Sequence, residues 1–173
     1  MLRGIRLVVG DARASAPVSD ALRASLAALY EAGLVLEVLV AEAGLELVAR
    51  LCGAVPGLTV VVDHLGGPEP AGDRARWRCR LAVLAGHPGA FAKVSGAAVQ
   101  ADDIDVLVQI ARAELGAARL MAGTDWPVSL IGEQTSRPWP RIAAAVRDWT
   151  AAERFALFEG TALDAYGLTR HRG

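Results

Sequence analysis

Leu120-Met121-Ala122-Gly123-Thr124-Asp125-Trp126-Pro127 is an apolar run that stops at a carboxylate. It reads as a short buried strand that delivers Asp125 to its C-terminal end, the end at which α/β proteins bind ligands. Leu58-Thr59-Val60-Val61-Val62-Asp63-His64-Leu65-Gly66-Gly67-Pro68 has the same form and delivers an imidazole. Two strands offering Asp and His at like ends make a candidate site.

Working outward, the apolar, β-branched runs at 5–9, 34–40, 58–62, 90–94 and 119–122 qualify as strands. Their starts recur at intervals of roughly 30 residues, the length of a βα unit. Helical periodicity fills the gaps. Residues 21–32 carry Leu22, Leu26 and Leu29 on one face, with Ser19 or Asp20 as N-cap and Gly33 as the stop. Further helices are expected over 45–54, 74–86, 104–115, 141–149, 152–158 and 161–166. Trp77, Trp149 and Phe155 are expected to pack helix against sheet. Strict alternation implies parallel strands with right-handed crossovers. The polar loops 66–73 and 128–140 follow strands and read as active-site loops, not linkers. No G-x-G-x-x-G or G-x-x-x-x-G-K-[ST] loop occurs, so a phosphate cradle is not indicated. Composition and period alone leave an open sheet and a partial barrel both standing.

A chain of 173 residues, 53% apolar and 21% charged, is one globular domain with a sizeable core. Its net charge of −1 gives no reason to expect nucleic acid or an acidic membrane surface. No apolar run is long enough to span a bilayer, and the first apolar stretch breaks at Gly10-Asp11, too early for a secretory signal. Cys52 and Cys79 have no paired spacing and fall in predicted helices, so buried reduced thiols and a cytoplasmic protein are expected. Lys93 is the one lysine in an arginine-rich chain. A position that keeps an ammonium against that trend is a candidate for a role.

Val62-Asp63-His64-Leu65-Gly66 with Pro68, Ala92-Lys93-Val94-Ser95-Gly96, and Gly123-Thr124-Asp125-Trp126-Pro127-Val128 occur here in that order. Together they resemble the amidohydrolase-related family of metal-type hydrolases. The similarity is greatest to its lactonase branch, which acts on sugar lactones and on 2-pyrone-4,6-dicarboxylate. Gly4-Ile5-Arg6 is similar to that branch's Gly-Val-Arg strand. The ending Glu159-Gly160-Thr161-Ala162-Leu163-Asp164-Ala165-Tyr166-Gly167-Leu168 is similar to its terminal helix. Ala122 and Thr124 are mild departures, standing where Phe and Ser are common. The larger departure is that family members begin with a strand carrying His-x-His, whereas this chain opens on what would be the fourth strand. The resemblance therefore implies a single amidohydrolase-related domain over residues 1–173, the last five βα units of a (β/α)8 barrel.

The resemblance implies roles as well. Asp125 would take a proton from the attacking water, and His64 would polarise a lactone carbonyl. Both would be metal ligands where the missing His-x-His is supplied. Lys93, Ser95, Arg6 and Trp126 would bind substrate, the two cations holding an anionic group. The complete enzyme would use a divalent metal such as zinc or manganese, and this chain alone is expected to hold none tightly. The residues also admit plainer readings: Asp125 as a turn cap, His64 bonded to a backbone carbonyl, Lys93 and Arg6 in structural ion pairs, and Trp126 as core. Asp63 is expected to face the helices or bond the backbone, because neighbours on a strand point to opposite faces. His87 and His171 are not ligand candidates. The functional expectation is a hydrolase acting on a lactone or related ester. A scaffold without activity and a metal-dependent decarboxylase are the alternatives. Open barrel edges are expected to drive self-association or pairing with an N-terminal segment.

Overall fold

The computed structural model describes residues 2–69, 72–130 and 138–168. Five strands form one parallel sheet: β1 (Gly4–Val8), β2 (Val35–Leu39), β3 (Val60–Val62), β4 (Ala90–Val94) and β5 (Leu120–Ala122). All five lie within a residue or two of the apolar runs, because a parallel strand packed against helices needs apolar side chains. Each strand pairs with its successor, with Arg6 beside Glu37, Val38 beside Val62, Val62 beside Ala92 and Lys93 beside Met121.

The order β1-β2-β3-β4-β5 decides between the two architectures. A doubly wound sheet reverses its strand order at a switch point. This sheet never reverses, so right-handed crossovers place every connecting helix on the same face. The result is five-eighths of a (β/α)8 wall. On the outer face Leu36, Val38, Val60, Val62, Ala92, Val94 and Leu120 share one core with the helices. These are α1 (Asp20–Glu31), α2 (Leu45–Ala54), α3 (Arg74–Ala82), α4 (Ala97–Gln100), α5 (Ile104–Leu115) and α6 (Pro138–Ala145). Two short helices, α7 (Ala151–Phe155) and α8 (Thr161–Ala165), flank a π-helical turn at Ala156–Gly160. A second, smaller core on the inner face joins Val35, Val61 and Met121 to Ala165 of α8. The residues closing α8 share a pocket with Arg3, Leu34, Val35 and Thr59, so α8 covers the start of the inner face.

Local rules set the helix ends. Ser19 Oγ accepts the Leu22 N–H at 3.2 Å, and Gly33 leaves α1 at φ +64°. Thr150 and Glu153 form a reciprocal capping box at α7. The expected helix over 74–86 stops at Ala82. Beyond it Leu84 and Ala85 bond carbonyls three residues back, a tightened finish before Gly86 and Pro88. The helix expected over 141–149 runs instead from Pro138 to Ala145, since proline is tolerated in a first turn.

Two burial expectations are corrected. Cys52 is buried but Cys79 is exposed, lying about 200° around α3 from Trp77. Trp77 and Trp149 are buried as expected, whereas Phe155 is 46% exposed and lies over the Gly160 turn, not the sheet. Among the described residues no helix is long and apolar enough to cross a membrane.

Candidate active site

The inner face carries charge where a barrel interior begins to open. Side chains alternate along a strand, so Arg6, Glu37, Val61, Asp63, Phe91 and Lys93 share this side. Asp63 corrects the sequence expectation: it does not face the helices but is completely buried on the inner face. Its carboxylate lies 3.0 Å from Arg6 Nε and 3.1 Å from Lys93 Nζ. Neither contact has hydrogen-bond direction, so the pairing is one of charge proximity. Alternation continues through Asp63 because the strand geometry does. It fails one residue later, where His64 (φ 55°, ψ 36°) and Leu65 (φ 55°, ψ 26°) turn left-handed, followed by Gly66 and Gly67 at positive φ. That turn brings the imidazole back to the side Asp63 occupies.

A left-handed non-glycine residue costs about 1–3 kcal/mol and persists where its surroundings over-determine it. Here Leu65 is fully buried, the Trp77 indole N–H donates to the Leu65 carbonyl at 3.1 Å, and Gly67 N–H donates to the His64 carbonyl at 2.9 Å. A Cβ on Gly66 would sit 2.5 Å from Leu45 Cδ2, so this backbone is pressed against α2.

Among the described residues Asp125 is the remaining left-handed non-glycine residue, at φ 55°. The turn after β5 is tied by other groups. Thr124 Oγ1 accepts the Trp126 N–H at 3.2 Å, and the Asp125 backbone carbonyl accepts the Ser129 N–H at 2.9 Å. The Asp125 carboxylate is left to face His64, with Oδ1 3.6 Å from Nε2. On its far side the ring meets Ser95, whose Oγ is 2.9 Å from Nδ1. Ser95, His64 and Asp125 thus form a line from β4 across the end of β3 to the end of β5. Trp126 is 72% exposed, which excludes the core reading and leaves its indole as a free surface beside Asp125.

Lys93 and Arg6 are both engaged in ion pairs. Glu37 accepts from Lys93 Nζ at 2.5 Å, from Arg6 Nη2 at 2.7 Å, and from the Tyr166 hydroxyl of the closing turn after α8. Burial by itself would raise the Glu37 pKa. Hydrogen bonds from Lys93, Tyr166 and Arg6 outweigh it and hold the carboxyl at about 2. Burial, then Glu37, pushes the Tyr166 hydroxyl far up, so it stays a donor. The two inner cations are thereby matched by two inner carboxylates. Glu37 escapes the sequence reading, although a lone charge in the middle of the apolar run 34–40 is the signal for it. Tyr166 enters that reading for its motif alone, without a role.

His64 Nε2 and Asp125 Oδ1 also fit two corners of a metal site, since two ligands on a tetrahedral zinc lie about 3.3 Å apart. A catalytic zinc takes three protein ligands, and the described residues contain no group of three or more His, Cys, Asp or Glu placed to hold an ion. Residues 70–71 and 131–137 of the two polar loops, and His171, lie outside the described residues.

Residues 2–168 match the family model described as amidohydrolase. The chain belongs to the amidohydrolase family. It is 36% identical to an L-fucono-1,5-lactonase of Burkholderia multivorans over 96% of its own length and 63% of that protein's. It superposes on a crystal structure of a zinc-bound amidohydrolase from Burkholderia multivorans with a TM-score of 0.85 and 31% identity, covering 97% of this chain and 65% of that one. A protein from Pseudomonas putida, described as a 2-pyrone-4,6-dicarboxylic acid hydrolase, gives a TM-score of 0.74 at 25% identity, with 95% and 63% covered. The chain thus spans less than two-thirds of the length of each of these relatives.

Proposed function

We propose that this amidohydrolase chain carries the acid–base half of a lactone-hydrolysing centre. The observation behind the reading is the Asp125 carboxylate, which among the described residues caps no turn and converges on His64 Nε2. Asp125 accepts a proton from water as the water oxygen attacks the lactone carbonyl carbon. His64 donates from Nε2 to the carbonyl oxygen as negative charge develops there. The tetrahedral adduct then expels the ring oxygen, which takes the proton from Asp125 and leaves a hydroxy acid. A divalent ion held by His64, Asp125 and a third donor would act as a Lewis acid on the carbonyl and lower the pKa of the water.

The charge pattern bears on the substrate. With Arg6 and Lys93 engaged by Glu37 and Asp63, the described inner face offers no unmatched cation to a substrate carboxylate. That supports a neutral, hydroxylated lactone of the sugar type over a dicarboxylate lactone. The test is hydrolysis of L-fucono-1,5-lactone and of 2-pyrone-4,6-dicarboxylate, with and without added Zn²⁺ or Mn²⁺. Asp125→Asn should lower kcat by about 10²–10⁴-fold with little change in KM. Faster turnover of the dicarboxylate would refute the substrate reading. No hydrolysis under any condition would favour an inactive scaffold.

Among the described residues β1 pairs with β2 alone and β5 with β4 alone. Leu2, Ile5 and Val8 are exposed around the first of these, and Trp126, Val128 and Leu130 just beyond the second. Open, apolar edges of this kind support association with a second copy or with a segment supplying further strands. A monomer by size-exclusion chromatography with light scattering would refute association of the isolated chain with itself.

A further inference from the structure

We infer that Ser95 is a positioning residue for His64. Its hydroxyl pins the imidazole so that Nε2, not a ring carbon, faces Asp125. The inference rests on the proposed role of His64 but concerns how the ring is held, which can be read without turnover.

Three observations carry it. Ser95 is 2% exposed, and its Oγ is 2.9 Å from His64 Nδ1, within a seat closed to solvent. Gly96, at φ +55°, has no Cβ, and one built there would overlap the imidazole. The ring therefore lies flush against this turn. Gly123 is packed on the other side of Ser95, where a Cβ would come 3.2 Å from Ser95 Cβ. The serine is thus wedged between the ends of β4 and β5. The ring, bound at Nδ1 and backed by Gly96, is left with Nε2 on the side of Asp125.

A half-turn of the ring about Cβ–Cγ would replace Nδ1 by a carbon at Ser95 and strand the hydroxyl in a buried seat. Leaving a buried donor without an acceptor is unfavourable, so the hydrogen bond selects one of the two orientations. A hydroxyl suits this task better than a carboxylate or a carbonyl. It donates to a bare Nδ1 when Nε2 carries the proton, and accepts from Nδ1–H when Nε2 is bare. The ring keeps its aim whether Nε2 serves as a donor or as a ligand. Asp63 and Lys93, paired at 3.1 Å on the same two strands, brace the segments from which His64 and Ser95 project.

The experiment is a two-bond ¹H–¹⁵N spectrum of the metal-free chain, whose three histidines make assignment of His64 simple. The wild type should give one set of His64 ring signals with a hydrogen-bonded Nδ1. Ser95→Ala should double or broaden that set, and Ser95→Thr, which keeps the hydroxyl, should restore it. Ser95→Cys, which fills the seat but donates weakly, should fall between, and it stands in for the alanine variant should that fail to fold. Where lactone is hydrolysed, Ser95→Ala should lose about 10–100-fold in kcat with KM held, the range for a partner that orients a reacting histidine. A His64 spectrum unchanged in Ser95→Ala, or in Ser95→Cys should it be the variant that folds, overturns the proposal. Absence of lactone hydrolysis in the wild type overturns only the reaction, because the spectrum still reports the orientation.

Discussion

Replacing Glu37 with glutamine removes the charge that joins the two inner cations to the terminal segment, and its effect can be worked from the structure. The amide mimics the protonated carboxyl, so the cost follows the displacement of the Glu37 pKa from 4.5 to about 2. That displacement corresponds to roughly 3 kcal/mol at neutral pH. Two features reduce it. Arg6 is nearly half exposed, where an ion pair contributes little, and Asp63 remains close to both Arg6 and Lys93. The expected loss is therefore about 2–3 kcal/mol, a shift of roughly 1–2 M in the urea midpoint. The sign with pH is fixed by a folded pKa below the unfolded one. The stabilisation is complete above about pH 5 and is lost as pH falls toward the folded value. The gap between wild type and Glu37→Gln should thus shrink to less than half by about pH 3. The assay is urea unfolding of both proteins between neutral and acidic pH. Equal midpoints at neutral pH, or a gap that does not change with pH, would refute the account of the inner network.

Trp126 touches the solvent more than the fold. Trp126→Ala should change stability by less than about 0.5 kcal/mol while raising KM for the lactone several-fold, and a large fall in melting temperature would instead make it structural. Burial pushes the Cys52 thiol up to about 12, whereas Cys79 is exposed. One thiol should therefore react quickly with a disulfide reagent in the folded protein and two in denaturant. Fast labelling of both before unfolding would contradict the packing of α2.

The strands are legible because packing against helices demands apolar runs, and that demand is written locally. Helix α2 and helix α5 fall on the expected residues for a similar reason, since their apolar spacing writes the face that each buries. Asp63 points inward against the sequence expectation, and His64 joins it on that side because alternation stops after Asp63. Nothing in Asp-His-Leu-Gly states that His64 and Leu65 adopt left-handed backbone. That conformation is held by the buried Leu65 side chain and by Leu45 and Trp77, which reach the turn from other helices. Lys93 stands out in the sequence as unusual, but its partner Glu37 lies 56 residues away and becomes its neighbour only across three strands.

The sequence by itself determined the five βα periods, the ends of the strands where chemistry can occur, and the identity of Asp125 and His64 as the groups placed there. Those follow from hydrophobic patterning and from turn residues, which act over a few positions. Only the tertiary structure decided that the strands stand in sequential order, that Arg6 and Lys93 answer to Glu37 and Asp63, and that Ser95 holds the far side of the imidazole. Each of those depends on which side chains meet across the sheet. That meeting is set by register and by a left-handed turn, which no local pattern encodes.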